Sequence, residues 1–412
     1  MNLTAFQALD SRGVPTICAV LKIKNGTFTA TVPSGTTTGK NEAVELRDGG
    51  KSFNGKGVSK AVQNVQDIAK KLPKDYSQDA VDNFLISLDA TENKSKLGAN
   101  TTLAISLVIA KANAAENNEP LFSYFSKLSR QTAKIPLPMA CIASGDKHSG
   151  KCVSIQEFML LPVKFSTFSA CTQAIAEIYY ELGKLTAKKT KEALFTDMEG
   201  GIVLPFTKAQ PTLELITNAI DRAGYSGKVK LALDCAASEF YNEKTKIYNY
   251  EGRKLSSDKL SGVYFDLMRD FSIVSIEDPF HEEDFAAFAE FTKKTKPNIT
   301  VVGDDLLTTN STRITRAVLQ GSCNALLLKP NQIGTVTETL EAAEMARNAG
   351  WKVIASHRSG DSEDPFLADL ATGLACDAAK IGGPSRGERT AKYNRLLYLE
   401  KFHKLKLAKW NG

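Results

Sequence analysis

From Lys228 to Arg389 the chain alternates short apolar runs with longer stretches whose apolar residues recur at helical spacing. The runs VKLAL, SIVSI, ITVVG, NALLL, KVIAS and the start of AAKIGG end in Asp234, Glu277, Asp304, Lys329, His357 and Lys380. Successive endings lie 43, 27, 25, 28 and 23 residues apart. One parallel strand with its crossover helix takes about 25 to 30 residues, so four gaps fit such units and the first holds an insertion. Between the runs, stretches such as Thr335 to Asn348 place Val336, Leu340, Ala343 and Ala346 on one helical face. Strands that are apolar throughout are buried on both faces, so this half of the chain predicts a barrel or a doubly wound sheet. In either architecture the residue ending each strand stands at the carboxyl edge of the sheet, where active sites collect.

The first third follows a different rhythm. Thr16 to Ile23 and Thr27 to Val32 flank Asn25-Gly26, a strong hairpin signal. Helical periodicity then holds from Val58 to Leu72, from Val81 to Leu88 and from Thr101 to Ala115. A hairpin followed by helices reads as an α+β domain, which we place at residues 1–133, with the barrel over 134–412 and a joint at Ile135-Pro136-Leu137-Pro138. The loop 33–39, rich in hydroxyls and bounded by glycine, reads either as a solvent loop or as a hinged lid that brings oxygen atoms to a metal or phosphate. The early barrel strands are less regular. Ser154 to Leu160 alternates like an antiparallel strand around Gln156-Glu157, a helix covers Phe168 to Leu185, and Asp197-Met198-Glu199-Gly200-Gly201 places an acid before two glycines.

Composition narrows the function classes. A hydrophobic content of 42% and a charged content of 24% are ordinary for a soluble protein. The formal charge of +6 is spread along the chain rather than clustered, which does not indicate nucleic-acid binding. Seven scattered cysteines without a CxxC favour reduced thiols in a cytoplasmic setting. The N-terminus lacks the pattern of a signal peptide, and no apolar run approaches the length of a membrane span.

A single Asp after a strand is most often a helix N-cap, but Lys and His are poor caps, and here they alternate with three acids at successive strand ends. Three carboxylates at one mouth predict a hard-cation site, Mg²⁺ before Zn²⁺, because no Cys or His pair shares their spacing. A lysine beside that site is expected to be charge-depressed and able to act as a base. Arg358-Ser359 suits a phosphate or carboxylate. No Ser/His/Asp triad motif, Walker loop or dinucleotide fingerprint is present.

Motifs along essentially the whole chain carry a family resemblance. DSRGVPT (10–16), VPSGTTTG (32–39), EAVELRDG (42–49), LDATENKSKLGAN (88–100), QEFMLLPV (156–163), DCAASEFY (234–241), SIEDPF (275–280), VGDDL (302–306), LLLKPNQIGTVTE (326–338) and SHRSGDSED (356–364) resemble the enolases, the glycolytic phosphopyruvate hydratases. The resemblance implies an N-terminal α+β domain and a modified (β/α)8 TIM barrel catalysing the reversible dehydration of 2-phosphoglycerate to phosphoenolpyruvate. It implies two Mg²⁺, one on Asp234, Glu277 and Asp304 and one on the lid at Thr37. Lys329 matches the base at C2 and Glu199 the acid at the C3 hydroxyl. Lys380 matches a group holding the substrate carboxylate, Arg358 and Ser359 those holding the phosphate, and His148, Gln156, Glu157 and His357 the remaining pocket. A cytoplasmic homodimer acting on a small molecule is the expected state. The chain departs from the family pattern at several positions. GDEGG reads DMEGG, NGG before His148 reads Ser144-Gly145-Asp146, the lid serine is Thr37, and Cys18 replaces a Glu used in dimer contacts. A divergent paralogue with weak activity and a binding role is the alternative these departures raise.

Overall fold

The Asn25-Gly26 turn sets the register of the first sheet. In this computed structural model, which describes residues 1–36, 39–145, 153–191 and 193–411, β2 (Pro15–Ile23) and β3 (Gly26–Thr31) pair antiparallel with Ile23 opposite Gly26. The alternation at the extreme N-terminus is too mixed to announce β1 (Asn2–Leu9), which pairs along the other edge of β2. Four helices follow: α1 (Ser59–Ala69), α2 (Gln78–Asp89), α3 (Ala99–Glu116) and α4 (Leu121–Ser129). Helix α3 is apolar or small around almost its whole circumference, and such a helix must be enclosed. It packs on β2 and β3 and touches α1, α2 and α4, so it forms the centre of this layer.

Eight strands close a barrel: β4 (Leu137–Ser144), β5 (Glu157–Pro162), β7 (Val229–Asp234), β11 (Ile273–Glu277), β12 (Thr300–Gly303), β13 (Ala325–Leu328), β14 (Lys352–Ser356) and β15 (Ala378–Lys380), which returns to β4. The closing β15–β4 pair decides between the two architectures that the alternating runs allowed. Strand β5 runs antiparallel to both β4 and β7, as expected for Ser154 to Leu160, but it begins only at Glu157 and is buried on both faces rather than alternating; every other barrel pair is parallel. A short β6 (Ile202–Val203) pairs with the end of β4 and brings the Asp197–Gly201 turn beside the mouth. The long first gap contains β8 (Tyr241–Asn242), β9 (Ile247–Tyr250) and β10 (Arg253–Leu255), a small separate sheet.

Both strand faces are apolar because each serves a different core. Leu137, Met139, Ala325, Leu327, Ile354 and Ala378 fill the lumen, while Leu326, Leu328, Val353 and Ala379 meet the outer helices. Those helices begin and end at chemical signals. Thr335 caps Val336–Asn348, Asn310 caps Ser311–Gln320, and Gly321 closes the latter at φ 65°. Among the described residues six cysteines are free and buried, and no helix is long and apolar enough to cross a membrane.

Candidate active site

Strand register brings the expected strand-end residues level with one another. Glu277 and Glu157 both lie opposite Asp234 on its two sides, and Lys380 lies opposite Ser356, one residue before His357. The Lys380 ammonium is buried among three acids, 2.7 Å from Asp234 Oδ2, 2.9 Å from Glu277 Oε1 and 3.1 Å from Glu157 Oε1. Burial opposes its charge, but Asp234, Glu157 and Glu277 outweigh burial and hold its pKa well above the usual lysine value. Burial pushes the Glu157 and Glu277 carboxyls up, and Glu199 and Asp234 respectively add to that shift.

Lys329 pairs directly with Asp304, whose other oxygen accepts from Gln332 Nε2 at 2.9 Å. The protein groups around Lys329 act on its charge in opposite directions. Burial does lower its pKa, but Asp304 more than offsets burial, so the net shift is upward. Spacing along the chain shows that a cation is near; it does not show that the carboxylate is nearer.

The residues at these strand ends fit a hard divalent cation. Asp234, Glu277 and Asp304 belong to adjacent units of the sheet, all their donors are oxygen, and Glu277 Oε2 is buried without a hydrogen-bond partner. Asp278, Asp304 and Asp305 also bring one carboxylate oxygen each within 4.8 Å of one another. Asp278 is occupied by the backbone, accepting from the amides of Asp304 at 3.0 Å and Asp305 at 2.6 Å. It therefore shapes the loop that presents Asp304.

Arginines organise the other side of the mouth. Arg358 donates to both oxygens of Glu42, at 2.9 and 3.1 Å, and to Asn331 Oδ1 at 3.1 Å. Burial disfavours the Arg358 charge, yet Glu42 overcomes this and raises its pKa above the usual arginine value. Ser359 Oγ lies 2.7 Å from Thr36 Oγ1 and accepts from the Thr36 amide at 2.9 Å, tying the start of the 33–39 loop to the barrel. His357 is buried with Nε2 3.6 Å from Glu199 Oε2. Arg389 stands behind it, 2.6 Å from His357 Nδ1. Burial, then Arg389, drives the His357 pKa well below the usual value, so the ring is neutral near pH 7.

The Glu199 turn shows where the DMEGG departure leads. Met198 directs its sulfur toward Thr36 Oγ1, at 3.6 Å. Asp197 is buried, and its Oδ1 accepts from the amides of Glu199 at 2.8 Å and Gly201 at 2.9 Å. Asp197 thus braces the backbone of the Glu199 turn. Gly382, at φ 77°, lets a second turn come close, since a Cβ there would lie 2.7 Å from the Glu199 carbonyl oxygen.

Gln156, Glu157, Glu199, Asp234, Asp304, Lys329, His357, Arg358, Ser359 and Lys380 line one cavity, and Glu277 contacts it through Lys380. Thr37, Asp146 and His148 lie outside the described residues. Sequence reasoning missed Glu42, Asp197, Asp278, Asp305, Gln332 and Arg389. The doubled acids Glu277-Asp278 and Asp304-Asp305 were a visible signal for two of them, and Glu42 opens the EAVELRDG motif without a role attached to it; Arg389 carried no signal.

Comparison with known proteins fits this arrangement. The family model for the enolase N-terminal domain matches residues 1–125, and that for the enolase C-terminal TIM barrel domain matches residues 132–412. The chain is 45% identical over 410 residues to an enolase of Methanopyrus kandleri, covering 97% of this chain and 95% of that one. It is 44% identical to enolases of Solanum lycopersicum and Methanococcus vannielii, covering 97% and 100% of this chain and 94% and 96% of theirs. With both domains matched in order and the acids, lysines and arginine gathered at one barrel mouth, the chain belongs to the enolase family.

Proposed function

We propose that this chain catalyses the reversible dehydration of 2-phosphoglycerate to phosphoenolpyruvate, as a Mg²⁺-dependent cytoplasmic homodimer with a capping domain at 1–133 and a catalytic barrel at 134–412. The observation that carries this reading is one cavity lined by a lysine, a buried glutamate, oxygen donors for a cation and an Arg-Ser pair. A proton alpha to a carboxylate is very weakly acidic, so its removal needs a positioned base and fixed positive charge where the second negative charge develops. Lys329 is the base at C2 and Glu199 the acid that delivers a proton to the departing C3 hydroxyl, which leaves as water. Lys380 holds the substrate carboxylate and faces the charge that grows there.

Arg358 and Ser359 hold the phosphate. Glu42 keeps the guanidinium aimed before substrate arrives, so little ordering remains to be done on binding. Gln156, Glu157, His148 and His357 complete the pocket. Asp234, Glu277 and Asp304 would hold one Mg²⁺ and Thr37 a second. A bound cation would supply positive charge beside the substrate carboxylate, and it would offset the Asp304 charge that raises the Lys329 pKa. The test is absorbance at the enol band of phosphoenolpyruvate, with purified protein, 2-phosphoglycerate and Mg²⁺, then excess chelator. A chelator-sensitive rise is expected; no rise from folded, Mg²⁺-loaded protein would overturn the assignment.

A further inference from the structure

Arg389 is wholly buried just behind the cavity and is absent from its lining. It sits near the start of the helix Gly387–His403 and reaches two separate segments, 357–361 and the turn at Met198. Nη1 lies 2.6 Å from His357 Nδ1 and donates to the Arg358 carbonyl at 2.6 Å, with Asp361 Oδ2 at 3.5 Å. Nη2 donates to the Ser359 carbonyl at 2.7 Å and to the Met198 carbonyl at 3.0 Å. A guanidinium has donors and no acceptor, so His357 Nδ1 must accept. The neutral ring then carries its hydrogen on Nε2, the atom that faces Glu199 Oε2. The backbone of His357 is held as well, its amide donating to the Lys380 carbonyl at 2.9 Å.

We propose that Arg389 is a positioning residue of the dehydration: it holds His357 as the neutral Nε2–H tautomer against Glu199 and clasps the turns that carry Glu199 and the Arg358-Ser359 pair. This rests on the reaction assigned above. The charged groups facing His357 agree with it. Arg389, Lys380 and Lys392 all oppose a charged ring, burial opposes it more strongly, and Glu199 alone favours it. Lys392 is itself fixed on Asp361, 2.7 Å away, so this cation does not swing toward the ring. The clasp does not depend on the side chain at position 198. Arg389 grips the Met198 carbonyl, which any residue supplies, and leaves the side chain free to meet Thr36.

The chain has four histidines, so ¹⁵N-histidine NMR of the full-length protein is tractable, with His357→Gln identifying the signal. The expected result is an Nε2–H tautomer for His357 that does not titrate between about pH 5.5 and 8.5, around the ordinary histidine value. In Arg389→Met the ring should titrate or mix tautomers, and kcat should fall about 10- to 100-fold, as when a functional histidine loses its orienting partner. The kcat profile should gain an ionisation near pH ~6.5. Arg389→Lys keeps a donor toward Nδ1 and should restore the tautomer and part of kcat. An Nδ1–H or charged His357 in the wild-type protein would overturn the proposal, even if Arg389→Met fails to fold. So would a variant with wild-type tautomer and pH profile. The tautomer is read without substrate, so inactivity of the wild-type protein would count against the reaction and a wrong tautomer against Arg389.

Discussion

The two sides of the barrel mouth solve the same problem, burying charge, in different ways. On the Asp234–Glu277–Asp304 side the cations are lysines, each bound to carboxylates alone, and Glu277 Oε2 and Glu157 Oε2 are left without hydrogen-bond partners. On the Arg358–Arg389 side planar guanidiniums spread their donors over Glu42, Asn331, His357 and three backbone carbonyls. A lysine can lose its proton and a carboxylate can take a metal, whereas an arginine stays charged and rigid. One side can change its charge and the other keeps its shape.

The sharpest way to break that comparison is to remove the base. Lys329→Ala and Glu199→Gln should each lower turnover by about 10²- to 10⁴-fold, the range for a positioned acid or base, with far-ultraviolet circular dichroism unchanged. Substantial activity in either variant would contradict the roles assigned here. On the arginine side the larger effect should fall on stability. Glu42→Ala leaves Arg358 buried without its carboxylate and should cost about 3 kcal/mol, the low end for breaking a buried pair because Asn331 keeps one donor engaged. Urea denaturation measures this, and a loss below a few tenths would show that Glu42 does not hold Arg358 in solution.

A smaller effect separates the sides by their response to a cation. Mg²⁺ at about 100 times its Kd should stabilise the protein by about 2.7 kcal/mol, and the gain should vanish in Glu277→Gln while surviving in Glu42→Ala. Thermal unfolding with and without Mg²⁺ reads this directly; equal gains in all three proteins would place the cation elsewhere. The mildest test concerns Asp197. Burial, then Glu199, raises its carboxyl pKa, so the stability tied to its proton is present below the unfolded value and lost as pH rises through the folded one. Asp197→Asn keeps the acceptor for the Glu199 and Gly201 amides without that loss. Its stability relative to wild type should therefore increase as pH rises above the ordinary carboxyl value of about 4. A pH-independent difference would show that Asp197 does not titrate in this range.

Much of the mouth was legible because each strand announces its own end. Asp234, Glu277, Asp304, Lys329, His357 and Lys380 follow apolar runs, and parallel pairing keeps those ends level whatever the helices between them do. Strand β5 was legible as antiparallel, but not in its bounds or its alternation, since it spans Glu157–Pro162 and is buried throughout. Glu42 was not. It comes from the other domain, 316 positions from the arginine it holds, and nothing in its own neighbourhood marks it as buried. Asp278 was not legible either, since its carboxylate turns to the backbone of the next unit.

The sequence by itself determined which residues stand at the barrel mouth, because strand period and repeat length depend on chain geometry and hydrophobic burial, both of which are local. The tertiary structure decided what those residues do to one another. Coulomb energy depends on distance and on the exclusion of water, and neither is written along the chain. Asp304 therefore raises the Lys329 pKa, burial and Arg389 lower that of His357, and Asp197 holds the backbone of the Glu199 turn.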